Sequence, residues 1–199
     1  EFRRVLFRSP SAPYSDLMRH DLTLADGPYT LRPLTDADIA PLLALAAAHE
    51  AEYARMGTFP TQERYYTGAL EADDQMPFVT LVNGELAGAT RFMEMRPNHR
   101  RLEIGSTWLA PAFMRTPANR TFKRLLLDHA FGEMGMLRVE IKTDILNTRS
   151  QRAIEGLGAT REGVLRQHMP RPDGTQRDTV MYSIIAEEWP QVRAALLNR

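Results

Sequence analysis

The sequence of 199 residues contains no cysteine. This absence excludes disulfide bonds, metal sites built from thiolates, and catalysis through a covalent thioester on a cysteine. The chain has 25 basic and 25 acidic residues, so no overall field would draw it to nucleic acid or to a membrane surface. No apolar run approaches the ~20 residues of a membrane-spanning helix. These absences predict a cytoplasmic protein without direct nucleic-acid or membrane partners.

Lysine is also scarce, because only Lys123 and Lys142 stand among the 25 basic residues. An excess of arginine suits phosphate recognition, since the guanidinium fork matches phosphate oxygens. A GC-rich coding bias would produce the same composition without functional meaning, and we favour that explanation. The five histidines are isolated from one another, which predicts no metal site.

The first nine residues, EFRRVLFRS, differ from the rest of the chain. Read back through the genetic code, they match the end of a common sequencing adapter. We therefore interpret residues 1–9 as an assembly scar and expect the folded domain at residues 10–199, with Met18 as the expected natural start. A native basic arm is the alternative interpretation.

Beyond this segment, the chain alternates helix-like and strand-like segments. Asn83-Gly84, between two strand-like runs, is the strongest hairpin signal, and Asp26-Gly27 and Pro172-Asp173-Gly174 are two more. The order is two helices, an antiparallel meander, and then a β-α-β-α-β-β arrangement. This order predicts one α/β domain with a mixed, mostly antiparallel sheet flanked by helices.

The stretch LNTRSQRAIEGLGAT forms a polar junction between a strand and a helix. Thr148 and Gln151 fit the S/T-x-x-E/Q capping box, in which side chains bond to exposed backbone N–H groups, and Gly158 suits the helix end. These three residues are therefore expected to be structural. The box does not need Asn147 or Ser150. Asn147 stands at the carboxyl end of a strand, where α/β sheets usually bind ligands.

The stretch LAPAFMRTPANRTFKRL connects another strand to an amphipathic helix. A helix N-terminus presents unpaired N–H groups and a partial positive charge, which suits phosphate. Arg115 and Arg120 would add full charges there. A basic loop before a helix is common, so this pattern by itself does not identify a phosphate site.

Together, the two junctions resemble the GNAT superfamily of acetyl-CoA-dependent N-acetyltransferases, and within it the group of RimJ/RimL acetyltransferases of ribosomal-protein N-termini. LEIGSTWLAPAFMRT is similar to that group's fourth strand and coenzyme loop. LNTRSQRAIEGLGATREGVLRQHM is similar to its fifth-strand end, N-x-x-S helix and next strand, and RDTVMYSIIAEEW to its closing strand. The similarity covers residues 29–189 in element order and residues 102–189 in motif. It implies a single GNAT-like domain with acetyl-CoA as co-substrate.

The resemblance implies a set of coenzyme-binding residues at a strand end, in the loop that follows it and at the second junction: Trp108, Leu109, Arg115, Thr116, Pro117, Ala118, Asn119 and Asn147. Arg120 joins this set because of its charge at the helix start. The family's loop usually reads Q/R-x-x-G-x-G/A, and its backbone N–H groups hold the pyrophosphate. Residues 114–119 contain neither glycine, and Pro117 has no N–H to donate. This departure puts one phosphate contact in doubt, for which Arg115, Thr116 and Asn119 could partly compensate.

The resemblance also implies candidate catalytic residues. The attacking amine must be neutral, so a base or a water chain must take its proton. Glu103 matches a position that often holds an acidic base in the family, although it could equally face solvent or a nearby arginine such as Arg101. His168 is a second candidate base. Many members carry a tyrosine acid where this chain has Ile154, so Ser150 becomes the candidate to protonate or orient the leaving thiolate. A plain first-turn hydroxyl is its alternative.

The resulting hypothesis is an enzyme that transfers acetyl directly to a primary amine, either a protein N-terminus or a small amino compound. One alternative is a detoxifying acetyltransferase for an aminoacyl-type antibiotic or an amino acid. Another is a non-catalytic coenzyme-A-binding module, which the missing glycines keep open. The acceptor walls are expected in residues 53–66 and the last hairpin, and a homodimer stays open.

Overall fold

The computed structural model describes residues 20–53, 59–171 and 173–198. The predictions for residues 1–9 and for Met18 lie outside this part of the chain. So do residues 54–58 of the expected acceptor wall and Pro172 of the last predicted hairpin. No helix of the described residues is long and apolar enough to cross a membrane.

Within the described residues, eight strands form one sheet in the order β1-β2-β3-β4-β5-β6-β8-β7. Their bounds are β1 Leu24–Asp26, β2 Tyr29–Pro33, β3 Met76–Val82, β4 Glu85–Arg96, β5 Arg101–Leu109, β6 Arg138–Asp144, β7 Thr160–Pro170 and β8 Gln176–Ile185. The hairpins predicted at Asp26-Gly27 and Asn83-Gly84 connect β1 to β2 and β3 to β4. Among the strands of the described ranges, only β5 and β6 pair in parallel, which confirms the predicted mixed, mostly antiparallel α/β fold.

In the described part of the chain, five α-helices flank the sheet: α1 Asp36–Ala47, α2 Arg64–Glu71, α3 Ala118–Gly132, α4 Thr148–Glu155 and α5 Trp189–Leu197. The main core lies on the side of α3 and α5, where α3 buries Phe122, Leu126 and Ala130 at helical spacing. A second core lies on the side of α1 and α2 and contains Tyr66 and Trp108. Strand alternation therefore gives the central strands two covered faces, which we call the α3 face and the α2 face.

The sheet divides between β5 and β6. Arg101–Glu103 of β5 pairs with Arg138–Glu140 of β6, and no further pair joins the two strands within the described residues. Both strands nevertheless continue, to Leu109 and Asp144 respectively. We call the last pair, Glu103 and Glu140, the fork, and the space beyond it between the two strands the gap.

A bulge in β5 accompanies this division. The β4–β5 register shifts next to Gly105, and Ser106 takes a left-handed φ of 47°. A bulge bends its strand and increases its local twist. At the same end of β5, a Cβ added to Gly88 of β4 would lie 2.1 Å from the carbonyl oxygen of Trp108. The glycine thus lets β4 and β5 approach closely while β5 turns away from β6.

Candidate active site

Two helices begin at the open end of the gap. Strand β5 leads to α3 through the loop at residues 110–117, and β6 leads to α4 through residues 145–147. Because β5 and β6 run in parallel, their carboxyl ends and both helix N-termini lie at one edge of the sheet. The structure therefore brings together the two polar junctions that the sequence predicted as a site.

Glu103 lies buried at the fork on the α2 face, with only 3% of its surface exposed. Its Oε2 lies 2.8 Å from Lys142 Nζ of β6, so an ion pair spans the two strands where they separate. Burial raises the pKa of Glu103, and the charge of Lys142 opposes that rise. The expectation that Glu103 could face solvent or Arg101 is wrong, because Arg101 pairs with Glu140 at 3.2 Å instead.

Lys123 of α3 lies on the other face of the sheet and was missed as a site residue. It is 5% exposed, and its Nζ donates to Thr107 Oγ1 at 2.5 Å. Thr107 Oγ1 also lies 2.7 Å from Thr90 Oγ1, which extends the polar chain to β4. Burial lowers the pKa of Lys123 to about 7, against a weaker opposing effect of Glu103. The sequence offered one sign of this burial, since Lys123 directly follows Phe122 in a helix with an apolar stripe.

Asn147, and not Thr148, is the N-cap of α4. The backbone N–H of Ser150 donates to Asn147 Oδ1 at 3.0 Å, whereas Thr148 is already the first helical residue. Gln151 Nε2 donates to the carbonyl of Ile145 at 2.7 Å, which ties the helix to the preceding junction. The predicted Thr148–Gln151 capping box is therefore wrong by one residue.

The end of α4 also differs from the sequence expectation. The helix ends at Glu155 with Gly156 as its C-cap. Gly158 lies two residues farther on, with a left-handed φ of 89°. Ile154 is buried in the main core, so it contributes packing and no chemistry at this position.

The loop before α3 is shaped by Thr116. Its hydroxyl donates to the carbonyl of Phe113 at 2.8 Å and accepts from the N–H of Ala118 at 3.2 Å. Pro117 stands directly before the helix, and Thr121 N–H makes a bond to its carbonyl at 2.9 Å. The backbone N–H groups of Asn119 and Arg120 come before Thr121 in the first turn of the helix. They therefore belong to the donors that have no intrahelical partner at a helix start.

Two arginines add positive charge to this helix start. Arg115 is exposed and takes a left-handed φ of 60°, and Arg120 is half-buried in the first turn of α3. Neither forms an ion pair with a residue in the described ranges. The N-terminus of α3 therefore combines open N–H groups with uncompensated guanidinium charge, which suits a phosphate group.

The end of β5 is supported by tyrosine hydroxyls. Tyr53 donates to the carbonyl of Leu109 at 3.2 Å, and Tyr65 donates to the carbonyl of Ser106. The ring of Tyr53 also packs edge-on against Trp108, with 5.4 Å between ring centroids. Residues of the expected acceptor wall thus contact the strand end that the family resemblance assigns to the pantetheine arm.

A polar cluster occupies the α2 face beyond the fork. His168 of β7 is exposed, and its Nδ1 lies 3.1 Å from Thr179 Oγ1 of β8. Partial loss of hydration is the largest cause that lowers the pKa of His168, followed by the charges of Lys142 and Arg177. Since Lys142 also pairs with Glu103, it connects the two candidate bases.

Comparison with known proteins places these features in a family. Residues 29–160 match the model of the acetyltransferase (GNAT) domain. A 101-residue region is 32% identical to YoaA, an uncharacterized N-acetyltransferase of Bacillus subtilis (strain 168); it spans 51% of this chain and 56% of that protein. The chain thus spans little more than half the length of this relative.

Solved structures extend the similarity over most of the chain. A GCN5-related N-acetyltransferase from Brucella melitensis is 28% identical, with a TM-score of 0.82 over 90% of this chain and 85% of that one. Mycobacterium smegmatis RimJ in complex with CoA-disulfide shares the fold, with 23% identity and a TM-score of 0.76 over 89% and 94% of the two chains. The chain belongs to the GNAT acetyltransferase family, as its two junctions predicted.

Proposed function

We propose that this member of the GNAT family transfers an acetyl group from acetyl-CoA directly to a primary amine. The observation that carries the proposal is the gap between β5 and β6, with two helix N-termini at its mouth and a buried carboxylate at its fork. A pantetheine arm could lie between the separated strands and leave its thioester near the fork. The acceptor amine would then approach from the α2 face.

The residues at the two junctions fit the coenzyme chemically. The open N–H groups at the start of α3 and the charges of Arg115 and Arg120 would hold the pyrophosphate. Backbone groups of Trp108 and Leu109 would face the pantetheine arm, and Asn147 would border it from α4. Thr116, Pro117, Ala118 and Asn119 would shape the loop around the phosphates. Because Thr116 already bonds to Phe113 and Ala118, its contribution is the loop's conformation.

The chemical step is an attack of the neutral amine nitrogen on the thioester carbonyl carbon. A C–N bond forms, the C–S bond breaks, the amine loses one proton, and the thiolate leaves as coenzyme A. The chain has no cysteine to carry the acetyl group, so the transfer is direct. Ser150, at the start of α4, would protonate or orient the leaving thiolate.

Two groups can take the proton of the amine. Glu103 has a raised pKa because of burial, and a raised pKa makes a carboxylate a stronger base. His168 has a lowered pKa, so its imidazole is neutral and able to accept a proton at pH 7. The pH dependence of the acetylation rate distinguishes the two candidates, because activity on acidification should fall with the pKa of the group that acts as the base. Glu103→Gln and His168→Gln, compared with the unchanged chain, would identify that base.

The acceptor classes that we propose are a protein N-terminus and a small amino compound, in a cytoplasmic setting. A screen of amines with acetyl-CoA, read by thiol release and by the mass gain of one acetyl group, tests the function. Acetylation of at least one amine supports it, and no acetylation despite measurable coenzyme binding contradicts it.

A non-catalytic coenzyme-A-binding module is the second candidate. It is favoured by Pro117, which stands where the family's loop offers a backbone donor. In that case calorimetry would detect coenzyme A binding while no amine in the screen releases thiol.

A further inference from the structure

Arg177 of β8 is a buried cation that the reaction outlined above does not use. Only 6% of its surface is exposed, and its buried Nε has no hydrogen-bond partner in the described part of the chain. Burial lowers the pKa of Arg177, because the charged guanidinium loses hydration there. An unpaired buried donor on a charged group costs more than a neutral one. Such an arrangement calls for an anion from outside the chain.

The carboxylates that act on Arg177 are already matched with other cations. Asp144 accepts from Arg171 at 2.7 and 3.0 Å through both of its oxygens, and it also accepts from the N–H of Leu146 at 2.9 Å. Glu103 is paired with Lys142. Asp144 and Glu103 therefore each have a cationic partner, and the charge of Arg177 is in excess.

The position of Arg177 directs it to the acceptor side of the gap. Along β8, Val180 and Tyr182 belong to the main core on the α3 face, so Arg177 and Thr179 point to the α2 face. Thr179 pairs with Asp144 at the carboxyl end of β6 and contacts His168. Arg177 thus lies one alternation beyond Thr179, which contacts the candidate base His168, toward the end of the sheet where the gap opens.

We propose that Arg177 binds a carboxylate of the acceptor substrate. This inference rests on the proposed acetyl transfer and narrows its acceptor to amines that carry a carboxylate nearby. A guanidinium presents paired donors that match the two oxygens of a carboxylate. The coenzyme's phosphates have a separate basic site at the N-terminus of α3. The carboxylate comes either from an α-amino acid or from an acidic side chain behind a peptide N-terminus.

Kinetics with matched acceptors test this proposal. An α-amino acid is compared with its carboxamide, and a peptide with Asp at its second position with the Asn peptide. In the unchanged chain the carboxylate member of one pair should be preferred. Arg177→Gln should raise the KM for that member about 10- to 100-fold, the equivalent of one charge-assisted bond, and leave the neutral member within about twofold. Arg177→Lys should retain part of the preference.

Two controls separate the proposal from a structural role. Arg193→Gln removes an exposed arginine of α5, on the opposite face of the sheet, and should change neither KM. Thermal unfolding and calorimetry of coenzyme A binding should be similar for all variants. Equal losses for both members of a pair would overturn the proposal and assign Arg177 to the fold. A selective loss of coenzyme binding would overturn it in favour of a coenzyme contact.

A binding measurement keeps the inference testable apart from the proposed function. The N-acetyl amino acid and its amide are titrated into the chain with coenzyme A present. Stronger binding of the carboxylate, lost in Arg177→Gln, supports the inference even if no amine is acetylated. Equal binding of both compounds overturns it, whether or not the acetylation screen succeeds.

Discussion

Lys123 should make the stability of the protein depend strongly on pH above neutrality. In the folded state its pKa is about 7, whereas an ordinary lysine titrates near 10.5. Between these values the unfolded chain keeps the proton that the folded chain has lost. The unfolded state then binds more protons, so the free energy of unfolding rises with pH. The slope approaches about 1.4 kcal/mol per pH unit, which amounts to roughly 3 kcal/mol between pH 7 and pH 9.5.

Few other side chains of this composition titrate between pH 7 and pH 9.5. Cysteine is absent, and Lys142 is the only other lysine. The buried Tyr53 has a pKa raised to about 12, so it titrates above the window. The lowered pKa values of His129 and His168 lie below it. A difference in pH dependence between the unchanged chain and a variant at Lys123 therefore reports the titration of Lys123.

Urea unfolding of the unchanged chain and of Lys123→Met, at several pH values from 7 to 9.5, measures this effect. The variant keeps the length of the side chain, removes its charge, and should lose the pH dependence. It should exceed the unchanged chain in stability most at pH 7 and converge with it toward pH 9.5. Lys142→Arg is the control and should keep the dependence. An equal slope in Lys123→Met and the unchanged chain would refute the reasoning, because the amine would then keep its proton when buried.

Three further predictions concern the junctions and the chain start. Asn147→Ala should lower the free energy of unfolding by roughly 1 kcal/mol through loss of the N-cap, and Thr148→Ala by less; similar losses in urea unfolding would contradict this. Arg115→Ala should raise the dissociation constant for acetyl-CoA about tenfold in calorimetry, but leave a pantetheine thioester without pyrophosphate unaffected; parallel losses for both ligands would assign Arg115 to the fold. Removal of residues 1–9 should change neither coenzyme binding nor thermal stability, and a loss above about 1 kcal/mol would argue for a native arm.

The fold was predictable wherever a short stretch of sequence decides the structure. The dipeptides Asp26-Gly27 and Asn83-Gly84 specify their hairpins because few residues accept the left-handed turn backbone, and Gly27 and Gly84 do so at φ values of 54° and 79°. The parallel β5–β6 pair depends on contacts far apart in sequence. The two strands pair over three residues, and this short pairing leaves the gap. It could be expected only from the family resemblance.

The sequence allowed the two junctions of the candidate site to be located, but it did not specify their contacts. The sequence NTRSQ allows a cap at Asn147 or at Thr148, and the backbone decides, because Asn147 has non-helical angles of −89° and 70°. The partner of Glu103 depends on the parallel register, which places Lys142 two residues beyond the fork on the same face. Arg177 reads as an ordinary strand arginine until the ion pairs around it are known.

The arrangement of the site follows from one local departure in β5. Before Gly105, the side chains of Leu102 and Ile104 face α3, and Glu103 faces α2. The bulge at Ser106 shifts this alternation by one residue, so Thr107 faces α3, where it meets Lys123, and Trp108 faces α2. The same bulge turns β5 toward β4 and away from β6, which ends the parallel pairing beyond Glu103. The gap, the buried carboxylate at its fork and the buried lysine on its opposite face thus have a common structural cause.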